Sequence, residues 1–179
     1  MRLHSMTAQE QEAIFRRWLE AHIGLILKVV RGCAATPQDQ DDLLQDVLLH
    51  TWSSIPSFRG EAKESTWIYR VAFNTALAWR RVERRRREGY ERFLKFDVSP
   101  QAQPSPADSP PEQEIVERLY AAIRQLPKVD ASLALMHLDG VSYQEMAEVL
   151  GISENYIGVK LNRIRKRLAD QLKGATDEL

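Results

Sequence analysis

The sequence contains a single cysteine, Cys33, among 179 residues, so no intrachain disulfide can form. Its N-terminus has no apolar run preceded by basic residues that would resemble a signal peptide. No stretch approaches the roughly 18 consecutive apolar residues that a membrane-spanning helix needs. These absences predict a cytoplasmic protein without membrane insertion.

Catalytic and metal-binding patterns are also missing from the sequence. The four histidines lie at scattered positions without metal-ligand spacing, and none of the eight glycines builds a phosphate-cradling loop. Cys33 suits a small buried hydrophobe better than a nucleophile, because free cysteine packs well inside proteins. We therefore expect no enzymatic activity, no metal site and no cofactor.

The net charge is zero as well, but the distribution of the charged residues along the chain is informative. The 25 basic and 25 acidic side chains cancel, which argues against a generic polyanion binder. Residues 80–95, however, carry eight Arg or Lys against three Glu, and residues 156–168 carry five cations and no acid. Residues 96–118 carry five acids and one Arg. The sequence thus predicts two separate basic surfaces that meet phosphate.

The periodicity of the apolar residues is helical almost throughout, and it predicts an all-α fold. Thr7 and Glu10 form a capping-box pattern before a first helix, and Thr36 with Pro37 marks the start of a second, which runs to about Trp52. The turn-rich stretch SIPSFRGEAKES precedes a long third helix that continues into RRVERRRRE.

Residues 97–113 divide the chain into two small helical domains. They contain five of the eight prolines and no large apolar residue beyond Val98, so they cannot bury a core. We expect a mobile linker between a domain at residues 1–96 and a domain at residues 114–179.

The second domain ends in a helix-turn-helix pattern. Ser142 and Glu145 form a capping box, Gly151 suits the left-handed residue that closes a helix, and Ser153 caps the next helix. One face of that last helix is apolar and the opposite face is basic, which fits the major groove of DNA. The alternative is an ordinary helical hairpin with a solvated charged face.

Motifs in both domains together resemble the extracytoplasmic-function (ECF) sigma factors of bacterial RNA polymerase, in the sigma-70 family. They are DDLLQDV in the second helix, SFRGE in the loop, STWIYRVAFN at the start of the third helix, and DGVSYQEMAEVLGIS and RIRKRL near the C-terminus. The resemblance implies that the first domain is sigma region 2, which docks on core RNA polymerase and opens the minus-ten element. The second domain would be sigma region 4, which reads the minus-thirty-five element, and an anti-sigma factor would be a further partner.

The resemblance assigns the polymerase contact to four residues of the second helix. They are Asp42, Leu43, Gln45 and Asp46. Exposed carboxylates beside an apolar residue suit a basic partner helix. An acid cluster at a helix start that only stabilises the helix dipole is the alternative interpretation.

The resemblance also implies a surface for the minus-ten duplex and its melted nontemplate strand. Its residues are Phe58, Arg59, Gly60, Glu61, Ser65, Arg70, Phe73, Asn74, Arg80, Arg81 and Arg84. The loop would hold a base outside the stack, and the arginines would track phosphates. Two alternatives stay open: Phe58 simply anchors the loop to the core, and the arginines form only a solvated helix end.

The resemblance implies that the last helix binds the minus-thirty-five element, which is double-stranded promoter DNA. The residues assigned to it are Ser153, Asn155, Tyr156, Val159, Lys160, Asn162, Arg163, Arg165 and Lys166. The chain departs from the family pattern at Ala78, where many members are acidic, and at Gly158, where members often have a cation.

Two other function classes are compatible with parts of the sequence. One is a helix-turn-helix transcriptional regulator whose N-terminal helices form a dimerisation or effector domain. The other is a helical protein-interaction adaptor, against which the basic helix faces argue. Binding to core polymerase separates a sigma factor from both.

Overall fold

The structure, a computed structural model, describes residues 6–94 and 111–174, and of residues 84, 86–94, 111–112 and 173–174 it describes the backbone alone. Within these ranges it contains seven α-helices, one 3₁₀ turn at Ile55–Ser57 and no strand. The helices are α1 (Ala8–Cys33), α2 (Pro37–Ser54), α3 (Glu64–Leu94), α4 (Pro111–Arg124), α5 (Lys128–Leu138), α6 (Tyr143–Leu150) and α7 (Glu154–Gly174). The predicted all-α fold is confirmed.

The helix starts follow the capping signals of the sequence. The Glu10 backbone N–H donates to Thr7 Oγ1 at 3.2 Å, while the Thr7 N–H donates to the Glu10 carboxylate at 2.8 Å. Ser142 and Glu145 form the same reciprocal box before α6, with distances of 3.3 and 3.0 Å. Each box satisfies N–H groups that have no partner inside the helix, and so it determines where the helix begins.

Helices α1, α2 and α3 pack against one another as the N-terminal unit. Trp18, Ile26, Leu43 and Ile68 are fully buried in its core. Val82 departs from the apolar stripe that the periodicity of α3 predicts, since its side chain is 65% exposed. The core of this unit therefore ends before the basic part of α3.

Helices α4 to α7 form the C-terminal unit, in which α7 packs on the other three helices. Its core includes Ile123, Leu133, Met136 and Met146. Gly151 ends α6 with φ of +68°, the left-handed conformation that glycine adopts without strain. This turn sets the angle between the two helices of the helix-turn-helix.

The predicted linker at residues 97–113 is too long at its C-terminal end. Helix α4 already begins at Pro111, because proline in the first turn gives up no hydrogen bond that the helix needs. The remainder of the predicted linker, residues 97–110, lies outside the described residues.

The N-terminal and C-terminal units are in contact with each other. Helix α1 packs on α4 and α5, and α3 packs on α6. No helix in the described ranges combines the length and the apolar composition that crossing a membrane requires.

Candidate nucleic-acid and protein interfaces

The outer face of α2 carries an acidic patch. Asp42, Gln45 and Asp46 are exposed and lie three and four residues apart, which places them side by side on the helix. Among the residues that the structure describes, neither Asp42 nor Asp46 has an ion-pair or hydrogen-bond partner for its carboxylate. One turn further on, Leu49 is 61% exposed. The patch therefore offers free carboxylates next to an apolar side chain.

Leu43 does not belong to this surface, and its assignment to a partner contact is wrong. It is fully buried, on the same face of α2 as the buried Val47 and Thr51. The four-residue spacing of these three positions points Leu43 into the core. Leu49 is the exposed apolar neighbour that sequence reasoning missed, and its position one turn after Gln45 could have indicated it.

The alternative interpretation of the acids as helix-start charges fits only the first of them. Asp39 lies in the first turn, is buried, and its N–H donates to Thr36 Oγ1 at 3.1 Å. Asp46 lies beyond the second turn, where the helix dipole no longer favours an anion. The helix dipole therefore does not account for the position of Asp46.

The loop before α3 is anchored by Phe58. The Phe58 ring makes edge-to-face contacts with Trp18 at 5.2 Å and Trp67 at 5.6 Å between centroids. Such pairs contribute about 0.5–1.5 kcal/mol beyond the area that they bury. The geometry supports the interpretation of Phe58 as an anchor.

Beside this anchor lies an open cavity of about 290 Å³. Phe58 and Trp67 form part of its wall, and Arg59, Glu61 and Arg70 supply polar groups. Aromatic walls with a nearby guanidinium are the features that hold an unstacked base. Ser65 lies elsewhere, in a cavity between the two units, and Gly60 is the exposed turn residue with φ of +73°.

On α3, some residues of the predicted DNA surface are exposed and others are buried. Asn74 is exposed, as expected, whereas Phe73 is 3% exposed, so its assignment to the DNA surface is wrong. Phe73 stacks on Tyr69, with 5.6 Å between ring centroids, and the Tyr69 hydroxyl donates to Asp139 of the C-terminal unit. This side of α3 is covered by another part of the chain, which periodicity within α3 cannot reveal.

The first arginines of the basic stretch differ in their surroundings. Arg80 is half-buried and donates to the Arg124 backbone carbonyl of α4 at 3.1 Å, while Arg81 is exposed. The side chain of Arg84 lies outside the described residues. Arg70 likewise donates to a carbonyl of the C-terminal unit, that of Glu148 in α6.

Helix α7 has the two faces that the sequence predicts. Ile157, Leu161 and Ile164 are buried. Of the residues assigned to DNA, those exposed on α7 are Asn155, Tyr156, Val159, Asn162, Arg163, Arg165 and Lys166. Ser153 caps the helix, since the Tyr156 N–H donates to its hydroxyl at 3.4 Å.

Lys160 differs from the other cations of α7 because it has an internal partner. Its ammonium donates to Asp130 of α5 at 2.8 Å and lies 5.6 Å from the centre of the Tyr156 ring. The hydrogen bond to Asp130 raises the pKa of Lys160 above its ordinary value. Asp130 was missed by sequence reasoning, since nothing in its local sequence shows that α5 packs on α7.

Glu145 and Cys33 are among the groups near the contact between the units whose pKa values are shifted. The hydrogen bond from Lys63, followed by those from Ser142, lowers the pKa of Glu145 to about 2. Burial raises the pKa of the Cys33 thiol to about 11, which keeps the thiol neutral and poorly nucleophilic, in agreement with its predicted packing role. Like Leu49 and Asp130, Lys63 was missed by sequence reasoning.

Two family profiles match this chain in the expected order. Residues 18–86 match "Sigma-70 region 2", and residues 116–168 match "Sigma-70, region 4". The first match makes the N-terminal unit a sigma domain rather than the dimerisation or effector domain of a transcriptional regulator. Each of the two units therefore matches one region of the sigma-70 family.

Known proteins similar to this chain carry the same family name. The ECF RNA polymerase sigma factor SigM of Mycobacterium tuberculosis is 28% identical over 159 residues, covering 88% of this chain and 74% of its own. The ECF RNA polymerase sigma factor SigX of Bacillus subtilis is 29% identical over 143 residues, covering 78% and 73%. The fold is also similar to that of the sigma factor RpoE, solved in complex with the anti-sigma factor NepR from Bartonella quintana. That likeness has a TM-score of 0.65 and 21% identity, over 89% of this chain and 96% of the other. From its motifs, its two matched regions and these relatives, the chain belongs to the sigma-70 family and is an ECF sigma factor.

Proposed function

We propose that this chain binds bacterial core RNA polymerase in the cytoplasm and gives it promoter specificity, while RNA synthesis belongs to the polymerase. The observation that carries the proposal is the combination of a partner-free acidic patch on α2 with a basic face on α7, each on a unit that matches a sigma region. A protein that only bound an operator would need the second surface and not the first.

The acidic patch on α2 is the proposed polymerase contact. Asp42 and Asp46 present carboxylates to solvent, and Leu49 supplies the apolar contact that the family resemblance assigns to Leu43. Carboxylates around a small apolar patch give specificity for a basic helix together with some desolvated area. Gln45 adds a neutral donor and acceptor between the two acids.

The minus-ten element would be opened at the cavity beside the loop. Phe58 and Trp67 hold the loop in place, while Arg59, Glu61 and Arg70 bound the space in which a base of the nontemplate strand would lie. A pocket that stabilises an extruded base can supply part of the energy of melting without nucleotide hydrolysis. Asn74 and Arg81, both exposed on α3, extend this surface along the strand.

Helix α7 would read the minus-thirty-five element. Asn155 and Val159 lie in its N-terminal half, where side chains of a recognition helix approach base edges. Arg163, Arg165 and Lys166 lie further along and suit phosphate contacts. Lys160, held by Asp130, is placed at the edge of this surface and would join it only by leaving that ion pair.

An anti-sigma factor is a further proposed partner. Its support is the similarity of fold to RpoE in complex with NepR and to CnrH in complex with the cytosolic domain of CnrY. Co-purification of this chain with a protein that blocks its binding to core polymerase would identify such a partner.

The decisive experiment is transcription in vitro. Purified chain and core polymerase should migrate as a one-to-one complex, and this complex should start transcripts at discrete positions on genomic fragments. Core polymerase alone is the control. Binding to specific DNA without binding to core polymerase would contradict the proposal and favour a regulator.

A further inference from the structure

Lys160 differs in burial from the cations that follow it on the helix proposed to read the minus-thirty-five element. Lys160 is half-buried, whereas the later cations are exposed, namely Arg163, Arg165, Lys166 and Arg167. The side chain of Lys160 is 26% exposed, and that of its partner Asp130 in α5 is 15% exposed. The pair therefore lies where α5 packs on α7, at the edge of the proposed DNA surface.

Two groups hold the Lys160 ammonium in this position. The Asp130 carboxylate accepts its hydrogen bond at 2.8 Å, and the centre of the Tyr156 ring, one turn earlier in α7, lies 5.6 Å away. An aromatic face adds cation–π attraction to the charge of the carboxylate. The hydrogen bond to Asp130 is also the first cause of the raised pKa of Lys160, so the ammonium remains charged while it is paired.

Breaking this pair in order to bind DNA would be unfavourable. A phosphate would have to replace the carboxylate as the partner of Lys160, and Asp130 would lose this cation in a largely enclosed position. Removal of one member of such a pair leaves an uncompensated charge. The Asp130 carboxylate would also lie near phosphates of the same sign. The arrangement therefore favours a lysine that stays with Asp130 when α7 binds DNA.

The pairing changes the charge that the N-terminal half of α7 presents to DNA. Lys160 is the only cation in residues 154–162. Because Asp130 neutralises it, the groups that remain to approach base edges include the amide of Asn155 and the apolar side chain of Val159. This half of the helix would therefore read bases through neutral groups.

We propose that Asp130 is a positioning residue that withholds Lys160 from promoter DNA, so that α7 holds phosphates through its exposed cations further along the helix. The proposal rests on the proposed role of α7 in reading the minus-thirty-five element. It replaces the assignment of Lys160 to DNA that the family resemblance implies. Asp130 thereby limits the affinity of α7 for every element, because one cation of the helix is neutralised inside the protein.

The first test frees Lys160 with Asp130→Asn, which keeps the size of the side chain and removes its charge. Holoenzyme with this variant should bind all variants of the minus-thirty-five element about fivefold more tightly, and the salt slope should steepen by roughly 0.9 for one additional phosphate contact. Adding Lys160→Met should remove this gain, because the freed ammonium produces it. Asp130→Glu retains a carboxylate for the pair and should restore wild-type binding.

A matched control separates this effect from a general change of charge. Glu114→Gln makes the same change of net charge at an exposed acid that pairs within α4, and it should not raise the affinity. Thermal unfolding of every variant checks that it remains folded. An equal gain in Glu114→Gln would reduce the effect to general electrostatics and would overturn the proposal.

The second measurement locates the Lys160 ammonium in the holoenzyme. Lysine side chains are acetylated with the N-hydroxysuccinimide ester of acetic acid, with and without a minus-thirty-five duplex, and the products are measured by mass spectrometry. In the wild type, the duplex should protect Lys166 and leave the reactivity of Lys160 unchanged, whereas in Asp130→Asn it should protect both. Protection of Lys160 in the wild type would show that the ammonium already contacts DNA and would contradict the role of Asp130.

Arg165→Ala tests the proposed function of α7 separately. If Arg165→Ala weakens binding to all elements while Asp130→Asn gives no gain, α7 binds the promoter and only the role of Asp130 is wrong. If Arg165→Ala changes nothing and the duplex does not protect Lys166, α7 does not contact the element, and both the proposed function of this helix and the role of Asp130 fail.

Discussion

Helices α2 and α3 of the same unit present charged faces that differ in their availability. The carboxylates of Asp42 and Asp46 on α2 have no partner among the described residues, whereas Arg70 and Arg80 on α3 donate to carbonyls of the C-terminal unit. The proposed protein-docking surface is therefore open in this arrangement, while the proposed DNA surface is partly covered. The two helices therefore differ in whether their charged groups already have partners within the chain.

The largest expected effect is on polymerase binding, when the charges of the exposed acidic patch on α2 are reversed. Asp42→Lys with Asp46→Lys should weaken binding to core polymerase on the order of 100-fold or more, because it places cations against a basic partner. Stability should change by less than about 0.5 kcal/mol per site, since both side chains are exposed. Sedimentation with core polymerase measures the first quantity and thermal unfolding the second.

A matched control reverses two acids on another helix. Glu12→Lys with Glu20→Lys makes the same change of net charge on the exposed part of α1 and should leave polymerase binding intact. Equal losses in the two double variants would show a general charge effect and would remove the docking role from α2.

The second effect concerns the loop that borders the covered face. Phe58→Ala removes the ring contacts with Trp18 and Trp67 and should lower the free energy of unfolding by about 2–4 kcal/mol. Arg59→Ala, at the exposed next position, should change it by less than about 0.5 kcal/mol. Urea unfolding followed by tryptophan fluorescence compares the two. Unchanged stability in Phe58→Ala would favour direct base capture over anchoring.

The sequence predicts the elements of this fold better than their contacts. The boxes at Thr7 and Ser142 and the left-handed Gly151 act within a few residues, so local patterns are enough to find them. The faces of α7 follow from helical periodicity in the same way. Local signals therefore predict both units and the helix-turn-helix.

Sequence reasoning fails to predict which side chains are buried by parts of the chain that are distant in sequence. Family motifs assign Leu43 and Phe73 to surfaces, but both are buried. Phe73 lies on the side of α3 near the C-terminal unit, and Lys160 pairs with Asp130 across two helices. Such contacts join residues far apart in sequence and leave no periodic signal in either segment.

The third effect contrasts the covered face of α3 with the open face of α7. Asn155→Ala should cost about 1–3 kcal/mol at the preferred minus-thirty-five element and flatten the preference among variant elements. Arg165→Ala should weaken all elements alike and reduce the salt slope by roughly 0.9 for each phosphate that is no longer neutralised. Holoenzyme binding to a panel of elements at several salt concentrations separates these results. An unchanged ranking in Asn155→Ala would show that this residue does not read sequence.

The smallest expected effect is a shift in one pKa, and it reports directly on whether the covered face is covered in solution. The pKa of Glu145 is about 2, well below its ordinary value of 4.5, first because of the hydrogen bond from Lys63 and then because of those from Ser142. Lys63→Met should therefore raise the pKa of Glu145, but not fully to 4.5, since the capping box remains. Lys128→Met, at an exposed lysine of α5, should leave it unchanged.

The sign of the linked stability follows from this lowered pKa. The carboxylate favours the folded chain with its two units in contact above about pH 4.5. Its contribution is lost as the pH falls through about 2, where Glu145 becomes protonated in that chain. Carbon-detected nuclear magnetic resonance of the Glu145 carboxyl group gives the pKa in each variant. A wild-type pKa that Lys63→Met does not move would mean that Lys63 and Glu145 are apart in solution. In that case Lys63 would have no internal partner, like Asp42 and Asp46 on α2, and only the contacts of Arg70 and Arg80 would distinguish the two surfaces.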